Sequence, residues 1–362
     1  MIEKDFVFNI PFIVENLQEG DVSWQSPSNI ALVKYWGKTE PQIPKNASIS
    51  FTLSKCHTQT RLVFRPKTKA EDFIDFNIFF EGKENDAFKP KIKQFFERIA
   101  IYVPFIRAYE FEIHTKNSFP HSSGIASSAS GMSALALCLM SLEKSLNPQI
   151  SQEYFLKKAS FLSRLGSGSA ARSIEGPLVV WGKHPNIEGS INEYGIKYPY
   201  ELHPVFETFL DTILLVDKGI KQVSSTVGHN LMQDHPYAEA RFEQAQGNMD
   251  SLKPVMKDGD LDAFIRIVEK EALSLHAMMM TSDPYFILMK PNTLRIIEKI
   301  WAFRKKTKTH ICFTLDAGAN VHVLFPAKDE ELINRFIANE LIAFCENNQY
   351  ICDKAGTGAF PI

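Results

Sequence analysis

Pro120-His121-Ser122-Ser123-Gly124-Ile125-Ala126-Ser127-Ser128-Ala129-Ser130-Gly131 is a run of mostly small and hydroxyl-bearing residues between two regular patterns. Tyr109 to Thr115 ahead of it reads as a strand. Ser127 to Leu146, rich in Ala, Leu and Ser and apolar on most faces, reads as a buried helix. Small residues let a ligand approach the backbone closely. A helix N-terminus adds unpaired N–H groups and a positive dipole end, so the run fits a phosphate cradle. No Gly-Lys-Ser/Thr closes it, so it is not a Walker A loop. Taken alone, the same residues also describe a Ser/Gly-rich turn ahead of a capped helix.

Upstream lies Ser26-Pro27-Ser28-Asn29-Ile30-Ala31-Leu32-Val33-Lys34-Tyr35-Trp36-Gly37-Lys38. Two lysines beside two large aromatics suit a site that holds a polyanion. Lys38 alone reads equally as a solvated lysine. Downstream, Ser163-Arg164-Leu165-Gly166-Ser167-Gly168-Ser169-Ala170-Ala171-Arg172-Ser173 combines free backbone, hydroxyl donors and an arginine. A guanidinium matches a carboxylate or phosphate bidentately. The alternative is a helix C-cap at Gly166 with a surface arginine. Phe313-Thr314-Leu315-Asp316-Ala317-Gly318-Ala319-Asn320 places one carboxylate at a strand end, which is also the pattern of a self-capping turn.

The remaining chain alternates strands and helices. Residues 1–20 read as an N-terminal extension. Ser48 to Lys55 is an alternating strand, continued by 60–65 and 74–80, with a turn at Gly82-Lys83. Helices are expected at 89–103 and through Phe155, Ala159 and Leu162, and a strand at Pro177–Trp181. Gly189 to Pro204 is turn-rich and is the expected lobe boundary. The second half reads β-α-α-α-β-β-α: strands at Thr212–Val216, His310–Leu315 and Val321–Phe325, and helices at Pro236–Met256, Asp260–Leu275, Thr293–Arg304 and Asp329–Phe344. Two lobes of α+β architecture follow.

Composition narrows the function classes. The chain has 362 residues, 44% of them hydrophobic and 23% charged, with a formal net charge of −2. That length suggests two domains. No global field favours nucleic acid or an anionic membrane, so an anion site must be local. The five cysteines are scattered without metal-ligand spacing, as expected of free thiols in a reducing cytoplasm. The N-terminus does not read as a signal peptide, and no run approaches the roughly 18 apolar residues of a membrane helix. The histidines show no metal-binding spacing.

These segments, in this order and spacing, resemble the diphosphomevalonate decarboxylases, a branch of the GHMP small-molecule kinase superfamily. Asn46-Ala47-Ser48-Ile49-Ser50, Val223-Ser224-Ser225-Thr226-Val227-Gly228, Leu275-His276-Ala277 and Gly356-Thr357-Gly358 are weaker matches. The resemblance implies a two-lobed α+β fold around a deep cleft. Its N-terminal lobe (21–204) would be ribosomal protein S5 domain 2-like and its C-terminal lobe (205–362) ferredoxin-like. It implies ATP-dependent decarboxylation of 5-diphosphomevalonate to isopentenyl diphosphate, with Mg2+ accompanying ATP.

Residue by residue, the resemblance gives Asp316 the reacting hydroxyl, Lys34 the reacting phosphate, and Arg172 the substrate carboxylate. Tyr35, Lys38, Ser167, Gly168, Ser169 and Ala170 would line the substrate. Ser122, Ser123, Gly124, Ile125, Ala126, Ser127, Ser128 and Ala129 would hold the nucleotide phosphates, with Ser128 the candidate metal contact. Departures are Ala47 in the strand entry, Ala171 where Cys is frequent, and Leu315 and Ala319 where Phe and Pro are usual. Thr226 stands where some members have arginine, and His229 where Met is common. The alternatives are a phosphomevalonate decarboxylase, a mevalonate 3-kinase-like enzyme, or a non-catalytic ligand sensor. Partners are expected to be small molecules, with a homodimer as the protein partnership considered.

Overall fold

Two long strands set the frame, and both owe their length to β-branched and aromatic residues. In the computed structural model, β1 (Gly20–Val33) pairs antiparallel with the 19-residue β4 (Ser48–Pro66), in register from Gly20↔Phe64 to Val33↔Ile49. The register shifts between Pro27 and Asn29. Pro27 has no N–H to give the ladder, and an irregularity is where a central strand tolerates it. The structure describes residues 2–11, 17–69, 71–121, 125–219 and 225–362, and omits the side chains of Ile2, Ser225 and Thr226.

Before β1 comes a short helix, α1 (Ile2–Asp5), after which Phe6 and Phe8 are buried in the first core. Two short strands, β2 (Lys38–Thr39) and β3 (Ile43–Pro44), form a hairpin after β1. Along one edge β4 pairs in turn with β8 (Leu178–Trp181) and β7 (Tyr109–Asn117). The sheet is extended by β5 (Asp75–Phe80), parallel to β7, by β6 (Lys83–Glu84), and by β9 (Ile196–Lys197) beside β8. Helices α2 (Lys89–Ile99), α3 (Ser127–Leu146) and α4 (Gln152–Gly166) bury Phe95, Phe96, Leu135, Leu139, Phe161 and Leu162 in one core with this sheet. The expected span of α3 is the observed one.

In the second half a short helix, α5 (Pro204–Glu207), leads into β10 (Phe209–Leu214), and α6 (Ser225–Asn230) follows. Helices α7 (Ala238–Asp258), α8 (Leu261–Met280) and α9 (Pro291–Thr307) come next. β10 joins β11 (Cys312–Thr314), β12 (Val321–Pro326) and β13 (Tyr350–Lys354) in an antiparallel sheet of order β11-β12-β10-β13. One apolar cluster spans both halves: Ile30, Leu32 and Phe51 of the first sheet join Phe209 of β10 and Phe264 and Val268 of α8. The architecture is α+β.

Three expectations change. The helix expected over 329–344 is α-helical only in α10 (Glu330–Phe336), then widens to a π turn and tightens to a 3₁₀ turn. β13 and β14 (Phe360–Pro361) were not expected. Both are short, with side chains largely exposed, and β14 forms only by returning to β1 in the other lobe. The alternation of Ser48 to Leu53 does not mark a solvent face, because all six residues are buried. Their polar side is covered by protein: Ser48 Oγ meets Arg172 and the Trp181 carbonyl, and Thr52 Oγ1 meets the Pro177 and Gly356 carbonyls.

Candidate active site

Lys34 sits one residue beyond β1, with its main chain held on both sides. Its N–H donates to Glu271 Oε2 on α8 at 2.8 Å, and its carbonyl accepts from Asn46 Nδ2 at 2.9 Å. Its side chain, 2% exposed, ends 3.1 Å from Asp316 Oδ1. Burial lowers the Lys34 pKa, and Asp316 and Glu271 oppose that shift by charge. Glu271 is itself clamped. Arg241 donates to both of its oxygens, at 3.2 and 2.5 Å, and Asn248 donates at 2.5 Å.

Asp316 follows β11, at the start of a tight loop. Its carbonyl accepts from Gly318 N–H at 2.7 Å and from His276 Nε2 at 3.1 Å. A carbonyl only accepts, so His276 carries its proton on Nε2. Burial, aided by Lys34, pushes the His276 pKa down to about 4, so this ring is neutral near pH 7.

Arg172 ends a 3₁₀ turn, Gly168–Arg172. Its Nη1 donates to Ser48 Oγ at 2.5 Å, and the guanidinium lies 5.8 Å from the Trp181 ring centroid. Burial brings its pKa down to about 10, so it remains a cation at neutral pH. Its Nε is buried with no hydrogen-bond partner among the described residues, and so is the Tyr35 hydroxyl. Two unmatched buried groups in one wall are costly unless a ligand meets them. Gly168 is required here, because a Cβ would fall 2.8 Å from both the Tyr35 hydroxyl and the Trp181 ring.

The start of α3 has no side-chain cap and no acidic residue in its first turn, and Ala126 before it is left-handed at φ 44°. Ser28 Oγ donates to the Ile125 carbonyl at 2.6 Å, which pins the turn. Ser128 Oγ is 3.2 Å from Ser167 Oγ, joining this turn to the arginine-bearing one. A cleft of about 1100 Å³ takes in Ala126, Ser127, Ser128, Ser167, Gly168 and Ser169. Lys34, Tyr35, Lys38, Arg172, His229 and Asp316 line it too.

Most of the residues singled out from the sequence therefore share one cavity. Ile125, Ala129 and Ala170 do not line it. Their side chains are buried, and their main chains are bonded within the protein: Ala129 N–H donates to the Ala126 carbonyl at 2.7 Å, Ala170 N–H donates to the Ser167 carbonyl at 2.8 Å, and the Ile125 carbonyl accepts from Ser28. Ser122, Ser123 and Gly124 lie outside the described residues, as do Val223 and Ser224. Lys38 is not a solvated lysine. Its ammonium bonds Glu40 Oε1 at 2.8 Å and Gln42 Oε1 at 3.1 Å, and Glu40 also pairs with Arg98.

Sequence reading missed Asn29, Glu271, Arg241 and Asn248. Asn29 Nδ2 donates to Ser173 Oγ at 2.8 Å and to the Ser169 carbonyl at 3.2 Å, bracing the arginine turn. A signal for Glu271 was available. It falls on the apolar stripe of α8, three residues after Val268 and one before Ala272, where an acid needs a buried partner. Arg241 interrupts the buried face of α7 in the same way. No group of three His, Cys, Asp or Glu side chains among the described residues is arranged to hold a metal ion.

Residues 26–192 match the diphosphomevalonate decarboxylase-like N-terminal domain, and residues 212–358 match the mevalonate 5-diphosphate decarboxylase C-terminal domain. Diphosphomevalonate decarboxylase ERG19 of Gibberella zeae is 28% identical over 331 residues, covering 86% of this chain and 82% of the relative. Phosphomevalonate decarboxylase of Haloferax volcanii is 26% identical over 318 residues, covering 87% and 89%. Among solved structures, MDDEF in complex with MVAPP, AMPPCP and magnesium aligns with a TM-score of 0.80 at 26% identity, covering 95% of this chain and 99% of that one.

Proposed function

The chain belongs to the diphosphomevalonate decarboxylase family, and from that membership and the geometry of its cleft we propose that it converts 5-diphosphomevalonate and ATP to isopentenyl diphosphate, ADP, phosphate and CO2. The observation that carries the reading is the convergence of Lys34, Asp316 and Arg172, from three distant segments, on one cavity that also receives the uncapped start of α3.

The chemistry follows from what these groups can do. Asp316 accepts a hydrogen bond from the tertiary hydroxyl and takes its proton as that oxygen bonds to the γ-phosphorus and ADP departs. An aspartate near pKa ~4 does not deprotonate an alcohol at rest, so the transfer accompanies bond formation. Lys34 offsets the negative charge between the aspartate and the phosphoryl group. Arg172 holds the carboxylate so that the bond to be broken is aligned. The C–C bonding pair then becomes the new C=C bond as the 3-phosphate leaves, and CO2 is released. No electron-sink cofactor is needed.

ATP phosphates fit the free N–H groups and positive end of α3. Mg2+ also fits. It would keep phosphate and water ligands and take only one or two protein oxygens, of which the Ser128 hydroxyl is the one at the start of α3. When bound, it would supply positive charge that offsets the negative charge of the ATP phosphates.

A coupled ADP assay with 5-diphosphomevalonate and 5-phosphomevalonate side by side, with CO2 measured in parallel, tests the reading. The diphosphate should have the higher kcat/KM. A monophosphate preference would assign the chain to the activity named for the Haloferax volcanii relative. ADP without CO2 would mark a 3-kinase, and ligand binding without turnover a sensor. No helix among the described residues is long and apolar enough to cross a membrane. A cytoplasmic location and assembly as monomer or homodimer belong to the same proposal, and sedimentation distinguishes the two assemblies.

A further inference from the structure

His229 also lines the cleft, apart from the reacting groups Lys34, Asp316 and Arg172. Its imidazole is wedged between two rings, 4.2 Å from the Tyr35 centroid and 4.7 Å from that of Trp36. The wedge leaves the ring little freedom to turn. Gly37 N–H donates to Nδ1 at 3.0 Å. A backbone N–H can only donate, so Nδ1 presents its lone pair and the proton of the neutral ring sits on Nε2. Burial, with Lys38 and Arg172 nearby, holds the ring neutral, with its pKa pushed down to about 3.

The Nε2–H group has no acceptor among the described residues. It shares the cleft wall with the partnerless Tyr35 hydroxyl and with Lys38, whose charge is partly committed to Glu40. Such a wall offers fixed, directional donors more than free positive charge.

We propose that His229 is a specificity-determining residue whose Nε2–H donates a hydrogen bond to a phosphoryl oxygen of the substrate. The inference rests on reading the cleft as the site of a mevalonate phosphate ester. The Gly37 bond selects the tautomer, and the Tyr35–Trp36 wedge aims the donor. A neutral donor of fixed direction recognises phosphate oxygen without placing another cation beside Lys38 and Arg172.

Two substitutions separate donation from anchoring. In His229→Asn the amide oxygen can replace Nδ1 and keep the Gly37 bond, but nothing reaches the place of Nε2. In His229→Gln the longer amide can place an N–H near Nε2 while giving up Gly37. Loss of a hydrogen bond to a charged group should raise KM for 5-diphosphomevalonate about 10- to 100-fold in His229→Asn, with ATP affinity unchanged. His229→Gln should stay within a few-fold of the unmodified protein. The reverse order would make His229 only an anchor for Gly37. Equal effects in both variants, or none in either, would overturn the donor role.

Histidine-15N NMR of the unmodified protein gives a readout that does not depend on the variants folding. The His229 signal should report an Nε2–H tautomer and shift on titration with inorganic pyrophosphate. An Nδ1–H tautomer, or an Nε2 signal that saturating pyrophosphate leaves in place, would sink the inference. If the protein turns over neither mevalonate ester, the proposed function fails, while the pyrophosphate titration still decides His229.

Discussion

At the scale of single residues, the cleft contrasts groups that are fully matched with groups that are not. Lys34 is held by its main chain and paired through its ammonium, whereas Arg172 uses Nη1 on Ser48 and leaves Nε unmatched. The first arrangement suits a group fixed before substrate arrives, the second a group completed by it. Asp316→Asn keeps size and an acceptor but cannot take the hydroxyl proton. Its kcat should fall by about 10²–10⁴-fold with both ligand affinities nearly intact. ADP and CO2 should fall together, because phosphorylation precedes decarboxylation; normal ADP release without CO2 would move Asp316 to the second step. Arg172→Ala should cost about 1.5–3 kcal/mol in kcat/KM, one to two decades, through loss of a charge-assisted contact. Calorimetry should show ATP affinity little changed, and a main effect on ATP would contradict the carboxylate role.

Elements explain why those residues stay in place. α8 and α7 bring Glu271 and Arg241 together under β1, and their buried pair, 0% and 2% exposed, carries the Lys34 peptide. Glu271→Ala leaves an uncompensated arginine in the core, an arrangement that costs roughly 3–5 kcal/mol. The melting temperature should drop sharply, and a variant as stable as the parent would show that Arg241 finds solvent. α3 offers a test with two opposite signs. An acid in the first turn of a free helix stabilises it by about 0.3–1 kcal/mol. The same charge beside nucleotide phosphates repels them. Ser127→Asp should therefore raise the melting temperature slightly while weakening ATP binding. Equal or tighter ATP binding would move the phosphates away from α3.

The whole molecule joins its two sheets through one shared apolar cluster and through Asp353 of β13, which accepts from the N–H groups of Ser54, Lys55 and Cys56 of β4 at 2.7–2.9 Å. Burying His276 neutral inside that assembly has a pH consequence. Its pKa falls from 6.5 to about 4 on folding. Above pH 6.5 neither state binds its proton, so the group does not affect stability. As pH falls below 6.5 the unfolded chain takes up a proton the native protein refuses, and stability declines by at most about 1.4 kcal/mol per pH unit for this group. Urea unfolding at pH 6.5 and 5 should show a larger decline for the parent than for His276→Gln. Equal slopes would mean that His276 opens to solvent before unfolding.

What the sequence determined by itself was the chemistry and much of the local structure. The strand-loop-helix around Ala126, the hydroxyl-rich turn before Arg172 and the lone carboxylate of Asp316 are contiguous patterns, and a short stretch of chain contains the physical reason for each. The limits of α3 were legible because an apolar run begins and ends there. Tertiary structure alone decided which of these patterns meet. The bond from Lys34 to Glu271 joins residues 237 positions apart, and no local pattern encodes such a pairing. Alternation in β4 showed two faces but not that both would be covered. Lys38 looked the same in sequence whether solvated or paired, since Glu40 and Gln42 reach it only after the β2–β3 hairpin closes. β14 exists only because the chain end returns to an open strand edge on the other lobe. Local propensity acts over a few residues. Burial and charge pairing act wherever the fold brings groups together, and that is where the cleft acquired its tautomers, its neutral histidines and its fixed lysine.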